Sequence, residues 1–556
     1  MSDRHLAYWP KNVPRHLVIP ETNVFYNLEV SAHRHPKKPY LIYYDTSITF
    51  PELQDEAERM AGFLERECGV KKGDRVLLFM QNSPQFVIAY YAIMRANAVV
   101  VPINTMNLTN ELREYVADSG AEMALVAQEL YPQVKPLIGR ELKRVIVAAY
   151  SDYLKQATDL RIPELIAAPR QPIGDPAVTL WNDAMARDLR PGPITARPDD
   201  LCVMPYTSGT TGSPKGCMHT HRTVMFTLVA GVHWFGPDPS QTTLAVLPFF
   251  HVTGMQGSMN GTIYSGNTIV LLPRWDREVA AQLIQRYKIT AWQCIPTMVV
   301  DFLADPKVFD YDLKSLERLS GGGAAMPEAV AKRLQDKFNI EFVEGYGLTE
   351  TMAPSHINPP ERAKKQCLGI PIFDVDARVV DLDSFRELPP GEVGEIIVNG
   401  PQVLLGYWNN PKATAEAFVE IDGKRFFRTG DLARMDEDGY FFLVDRLKRM
   451  INASGFKVWP AEVESMLYQH PAVQEACIIA ARDPRRGETV KAVVVLKPDA
   501  RGKVSGQDII GWASKQMAAY KYPRIVEFVD ALPKSATGKV QWRLLQEQEN
   551  SRQASA

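Results

Sequence analysis

The chain of 556 residues predicts a large N-terminal α/β domain, built from two doubly wound α/β subdomains and a small β-barrel, followed by a smaller α+β C-terminal domain. Three observations carry this. Helical and strand patterns alternate from about residue 50 to 355, which is how βαβ units read in a sequence. Between residues 366 and 444 the pattern changes to short strands separated by turn signals such as Pro389, Pro390 and Gly391, or Asp438 and Gly439. Beyond Asp445, Arg446, Leu447 and Lys448 a helix–strand–strand–helix pattern stands apart. The boundaries therefore fall at 1–444, 445–449 and 450–556.

Taken in order, Leu53, Ala57, Met60 and Leu64 recur at helical spacing and Gly69 stops that helix. Residues 75–80 read as a buried strand, Pro84 opens a helix, 98–101 is a strand, Thr109 caps a third helix, and 123–127 is a strand. The alternation resumes with strands at 243–247 and 268–272, a helix at 278–287 and a strand at 318–320. In the last domain helices are expected near 461–470 and 507–519, and strands at 476–480 and 490–496. Residues 546–556 read as disordered.

Composition narrows the function. Lys and Arg number 63 against 65 Asp and Glu, a formal charge of −2, so no global field recruits nucleic acid or an anionic membrane. The longest apolar run, 88–103, is broken by Arg95 and Asn97 and falls short of the roughly 20 residues that a bilayer span needs. No apolar signal region opens the chain. The expectation is a soluble cytoplasmic protein whose partners are small ligands. Six scattered cysteines form no C-x-x-C pair, and among ten histidines only His33/His35 and His219/His221 cluster. A disulfide framework or a transition-metal site is not expected.

The most informative run is Thr207, Ser208, Gly209, Thr210, Thr211 and Gly212, followed by Lys215 and Gly216. Glycines let a backbone approach an anion closely, hydroxyls and consecutive amides surround phosphate oxygens, and one ammonium adds charge. The spacing departs from the Walker pattern, since Pro214 stands five residues after Gly209 and Gly216 follows Lys215. A Gly/Ser/Thr linker has the same composition. The apolar residues 201–206 before the run argue against a linker.

Further motifs follow: Leu247-Pro248-Phe249-Phe250-His251, a glycine run at 321–323 with Ala324, Gly345-Tyr346-Gly347-Leu348-Thr349-Glu350, Arg428-Thr429-Gly430-Asp431, Asp445 to Lys448 with Ser454-Gly455, and Pro533 to Lys539. In this order they resemble the adenylate-forming superfamily of acyl-CoA synthetases, luciferases and peptide-synthetase adenylation domains. The resemblance spans about residues 45–545, and within it the chain looks most like a bacterial medium- to long-chain fatty-acid–CoA ligase.

That resemblance implies an ATP-dependent acid:CoA ligase with ATP, Mg²⁺ and coenzyme A as cofactor and co-substrates. A carboxylic acid would give acyl-AMP and pyrophosphate, and coenzyme A would then displace AMP. An aryl-acid or dicarboxylic-acid ligase, or an adenylating enzyme that loads a carrier protein, remains the alternative. Gly323 and Ala324 would form a flat surface for the purine, and Tyr346, between Gly345 and Gly347, would stack on its other face. Thr349 would bond the α-phosphate and Glu350 hold Mg²⁺. Asp431 would accept from the ribose diol, Arg446 bond ribose or phosphate, and His251 border the acyl carboxylate. Lys539 would neutralise charge developing at the α-phosphorus. The C-terminal domain is then mobile, with 445–449 as hinge, Lys448 as pivot and Gly455 lining the pantetheine tunnel. Asn452 stands where many members carry a lysine, and Met255 where some long-chain members carry a tryptophan gate. Read without the resemblance, these side chains could equally be core, capping or surface residues. Peripheral membrane contact, homodimerisation, and modification of Lys539 by an acetyltransferase and deacetylase are left open.

Overall fold

Apolar runs of four or five residues form strands buried along almost their whole length, the signature of parallel sheets covered on both faces. The computed structural model describes residues 3–207, 214–236, 238–323, 325–446, 449–453, 456–483, 487–535 and 538–554. The expected site residues 208–212, Ala324, Lys448 and Gly455 lie outside the described residues, as does the side chain of Arg446.

By packing, the chain divides into two units. The larger comprises Asp3–Asp376 and Val398–Phe427, and among the described residues it holds two large sheets. In one, the strands run in the order His219–Thr220, Leu201–Val203, Val99–Pro102, Arg75–Phe79, Met123–Ala127, Arg144–Ala148 and Val178–Leu180. All pairs but the first are parallel. In the other, Pro39–Tyr43, Thr268–Leu271, Thr242–Ala245, Ala291–Cys294, Arg318–Gly322 and Phe342–Tyr346 lie parallel side by side, with antiparallel strands at both edges.

The helix starts follow local chemistry. Thr49 and Glu52 form a reciprocal capping box for helix Phe50–Arg66, and the Ser83 hydroxyl accepts from Phe86 N–H ahead of Pro84–Arg95. Thr109 is not a cap. The helix Thr109–Ser119 starts at Thr109 itself, whose hydroxyl donates to the Gln133 carbonyl at 3.0 Å. The Glu111 carboxylate accepts the Leu108 N–H instead.

Strand Arg318–Gly322 runs beyond its expected end, into the glycine run. Close approach explains the glycines: a Cβ on Gly321 would lie 1.8 Å from the Cys294 carbonyl oxygen, and one on Gly322 2.2 Å from that of Gly345.

The second unit contains Ala377–Ile397 and Arg428–Ala556. Where the small barrel is expected stands a five-stranded sheet, ordered Asp376–Val380, Gly394–Asn399, Lys424–Met435 and Phe418–Ile421, with Phe441–Arg446 also paired to Lys424–Met435. Strands Gly394–Asn399 and Lys424–Met435 each pass from one unit into the other. The C-terminal sheet pairs Phe456–Val458, Ile451–Ala453, Gly487–Leu496 and Val473–Asp483 antiparallel, with Ile525–Phe528 parallel to Gly487–Leu496.

Residues 546–554 correct the expectation of disorder, since they continue a helix, Trp542–Ala554. The Gln546 amide exchanges hydrogen bonds with the Ala480 backbone at 2.8 and 2.9 Å, and Glu549 pairs with buried Lys491 at 2.5 Å. Gln546 and Glu549, two of the polar side chains that made the segment look solvated, thus have partners. Among the described residues no helix is long and apolar enough to cross a membrane.

Gly322→Ala is expected to destabilise the larger unit by about 1–3 kcal/mol, the usual cost of overpacking. Calorimetry should show a lower Tm; an unchanged Tm would mean that the two strands separate there without cost.

Candidate active site

In the larger unit, Thr207 and Lys215 face each other across a short antiparallel pair, Tyr206–Thr207 with Lys215–Gly216, at the two ends of the run expected to hold phosphate. The residues after Lys215 are bound in turn to a segment that no motif marked. Trp408 N–H donates to the Gly216 carbonyl at 2.8 Å, Met218 N–H to that of Gly406 at 3.0 Å, and Leu405 N–H to that of Met218 at 3.0 Å. Leu404 N–H reaches the Glu350 carbonyl at 2.9 Å.

Thr349 and Glu350 lie in a single 3₁₀ turn, Thr349–Thr351, held from two sides. His219 Nε2 contacts the Thr349 carbonyl at 2.8 Å; since a carbonyl only accepts, Nε2 carries the proton. Tyr407 Oη donates to Glu350 Oε1 at 3.0 Å, and Lys215 Nζ stands 5.1 Å from the centroid of the same Tyr407 ring.

The glycine run and Tyr346 end adjacent parallel strands, and Tyr346 sets its ring edge-on to His356 with centroids 5.6 Å apart. Between them Glu344 is buried, its oxygens accepting Met326 N–H at 2.6 Å and Cys367 N–H at 2.8 Å. Burial pushes the Glu344 carboxyl up to about 7 against those two donors. One side chain thereby ties the segment after Gly323 and the segment before Ile370 to the strand of Tyr346.

His251 accepts Thr253 N–H on Nδ1 at 3.3 Å and opens onto a π-helical segment, Gly254–Asn260. Met255 and Met259 there are fully buried. Gly257 alone in that segment is exposed, and the Gln293 amide lies over it: a Cβ at 257 would meet Gln293 Oε1 at 2.2 Å.

In the second unit, Asp431 is buried on strand Lys424–Met435, directly across from Arg446 in the ladder. Buried Glu395 shapes the turn before it, accepting from Arg428 at 2.8 and 3.1 Å and from Gly430 N–H at 3.0 Å. Asp445 accepts Ala461 N–H at 2.6 Å in the first turn of helix Pro460–Leu467. Lys539 is exposed on a tight loop in which Ser535 N–H donates to the Lys539 carbonyl at 2.8 Å.

Residues 28–408 match the AMP-binding enzyme family and 462–539 the AMP-binding enzyme C-terminal domain. The chain belongs to the AMP-binding enzyme family. It is 34% identical over 553 residues to the long-chain-fatty-acid–CoA ligase of Bacillus subtilis, covering 98% of both chains. Identity to a feruloyl-CoA synthase of Amycolatopsis is 35% over 499 residues, covering 89% of this chain and 92% of the relative. Among solved structures, the anthranilate CoA ligase AuaEII in complex with anthranoyl-AMP superposes with a TM-score of 0.84 at 29% identity, covering 97% and 99% of the two chains.

This AMP-binding enzyme is an acid–CoA ligase of the adenylate-forming superfamily, and it uses ATP, Mg²⁺ and CoA. Such a ligase joins an acid carboxylate to the α-phosphorus of ATP with loss of pyrophosphate, then exchanges AMP for the CoA thiol. The first step brings two anions together, so donors and cations must neutralise the charge that develops. Among the described residues no cluster of three or more His, Cys, Asp or Glu could hold a metal ion by itself. Mg²⁺ keeps its waters and binds through one or two carboxylates plus substrate phosphates, and Glu350 offers one carboxylate in the turn Thr349–Thr351. When bound, Mg²⁺ supplies charge neutralisation at the phosphates, and Glu350 would hold it.

Sequence reasoning missed His219, Glu344, Glu395 and Tyr407. Only His219 carried a signal, as half of a histidine pair with no metal-ligand spacing; the others act through contacts with residues 18 to 57 positions away. Burial lowers His219 and His221 to about 4. Both are neutral in the native state, whereas they protonate near 6.5 once unfolded. Their contribution is complete above pH 6.5 and is lost as the pH falls toward 4. The Tm of the parent should therefore decline across that window. His219→Gln, which keeps an N–H for the Thr349 carbonyl, should flatten the decline by up to about 3 kcal/mol; an unchanged slope would mean that His219 titrates normally.

Proposed function

We propose that this ligase activates a monocarboxylic aliphatic acid of medium to long chain. The observation that carries this reading is the apolar segment after His251, which packs Met255 and Met259 into the core and has no Lys or Arg between His251 and Leu272. As a wall it is adaptable and offers no cation to a second carboxylate. The match to the Bacillus subtilis fatty-acid ligase over 98% of both chains supports it. One observation favours an aryl acid instead. The Gln293 amide over Gly257 would suit a ring bearing a polar group, and the feruloyl and anthranilate ligases are of comparable similarity.

The test is kcat/KM for CoA-dependent AMP release across straight-chain acids, benzoate-type acids and α,ω-diacids. Straight-chain acids should lead, gaining up to about 0.8 kcal/mol per buried methylene until the pocket ends. The best turnover on an aromatic acid or a diacid would overturn the aliphatic assignment.

In this reading the loop 207–212 and Lys215 hold the phosphates. Gly323, Ala324 and Tyr346 enclose the base, flanked by Gly345 and Gly347, and Asp431 and Arg446 take the ribose. Thr349 bonds the α-phosphate, and His251 borders the carboxylate. Lys539 serves adenylation alone. The C-terminal domain, residues 450–556, then turns about Lys448 within 445–449, withdrawing Lys539 and bringing Gly455 toward the pantetheine. Asp445 and Ala461 lie on opposite sides of that pivot in sequence, so their hydrogen bond would be specific to one orientation. Lys539→Ala should reduce acid-dependent pyrophosphate release by about 10² or more, while thioester formation from supplied acyl-adenylate is largely retained. Equal loss of both half-reactions would refute this division of labour.

A further inference from the structure

We infer that Tyr407 is a positioning residue of the ATP site, presenting the Glu350 carboxylate to the metal and the Lys215 ammonium to the phosphates from one phenol. The inference rests on Glu350 as the metal carboxylate and on Lys215 as a phosphate cation. Its hydroxyl lies 3.0 Å from Glu350 Oε1, and its ring centroid lies 5.1 Å from Lys215 Nζ. Tyr407 is itself buried, with 8% of its surface exposed.

The backbone leaves this phenol little freedom. Cys217 and Tyr407 form an antiparallel bridge, and the hydrogen bonds of Leu405, Gly406 and Trp408 to Gly216 and Met218 fix the chain on both sides of it. The next bond, from Leu404 N–H to the Glu350 carbonyl, fixes the backbone of the residue whose side chain the phenol holds. Glu350 on a short turn has three rotatable side-chain bonds, and a hydrogen bond from a buried donor selects among their rotamers before any ligand arrives.

A lysine and a glutamate at one site would attract each other, and a tight ion pair would have to be broken when phosphate and metal enter. The phenol gives each charge a weaker partner: a cation–π contact for Lys215, which leaves ammonium N–H groups for phosphate, and a neutral hydrogen-bond donor for Glu350 Oε1.

Mn²⁺ titrated by electron paramagnetic resonance, in the presence of α,β-methylene ATP, tests this without turnover. Tyr407→Phe keeps the ring and loses the donor. Its Mn²⁺ dissociation constant should rise about tenfold, the lower end for loss of a hydrogen bond to a charged group, while metal-free binding of the analogue changes less than about twofold. Tyr407→Leu should weaken both. Mn²⁺ affinity in Tyr407→Phe equal to that of the parent would overturn the proposal. Glu350→Gln separates the two readings: if it too binds Mn²⁺ as the parent does, Glu350 is not the metal residue and the Tyr407 role falls with it. If only Glu350→Gln is weakened, the Tyr407 role alone falls. Should Tyr407→Phe fail to fold, 3-fluorotyrosine at 407 keeps ring and hydroxyl. Its ¹⁹F line should move on adding Mg²⁺ with the analogue, and a line that stays put would overturn the proposal.

Discussion

Strands Arg318–Gly322 and Phe342–Tyr346 end side by side at Gly322 and Gly345, close enough that a Cβ on Gly322 would stand 2.2 Å from the Gly345 carbonyl. Parallel sheets bind ligands beyond the carboxyl ends of their strands, and here those ends are bare backbone. The flat surface proposed for a base needs that bareness, and the bareness removes the side chains that would normally hold neighbouring loops. Glu344 supplies the missing hold from inside, through two backbone N–H groups reached from a buried carboxyl. The platform is thus braced from beneath by a group that presents nothing to the ligand side.

A site for a polyanion also has to keep stray charge away from the chosen cations. Burial holds His219 neutral while its N–H orients the Thr349 carbonyl. A protonated histidine there would compete with Lys215 for phosphate, and an apolar residue would leave a buried carbonyl without a donor. The second unit solves a similar problem differently: Glu395 is ionically paired with Arg428, so the turn that presents Asp431 is organised by a neutralised pair. In both units the residues expected to touch the nucleotide are held by partners whose net charge is close to zero.

The larger unit was legible because its strands are short, continuous apolar runs between helices with ordinary start signals, as at Pro84. The errors arose where one side chain had two uses. Thr109 looked like a cap, but the helix already begins at Thr109, and its hydroxyl donates to the Gln133 carbonyl instead. Residues 546–554 looked solvated because Gln546 and Glu549 are polar, and only the fold provides Ala480 and Lys491 as their partners. Lys215, Tyr346, Glu350, Asp431 and Lys539 could be nominated for a nucleotide site because binding a nucleotide demands particular residue types in fixed motifs. Tyr407 and Glu344 could not, because a positioning residue is defined by what it touches, and a tyrosine or glutamate at long range leaves no pattern in a single sequence.

The acyl wall brings these two kinds of information into conflict. Met255 and Met259 are visible in the sequence as apolar residues after His251, and they favour an aliphatic chain. The Gln293 amide enters only through folding, carried to Gly257 by the end of strand Ala291–Cys294. Its Oε1 already accepts from the Ser258 hydroxyl at 3.1 Å, and its amide also carries N–H donors that a polar substituent could satisfy. A fatty acid passing Gly257 would leave such a donor without an acceptor, at a cost of about 1–3 kcal/mol if water cannot reach it. That cost is comparable to the gain from two to four buried methylenes. Chain length beyond Gly257 therefore has to outweigh one amide, and the aliphatic assignment depends on a channel long enough to do so.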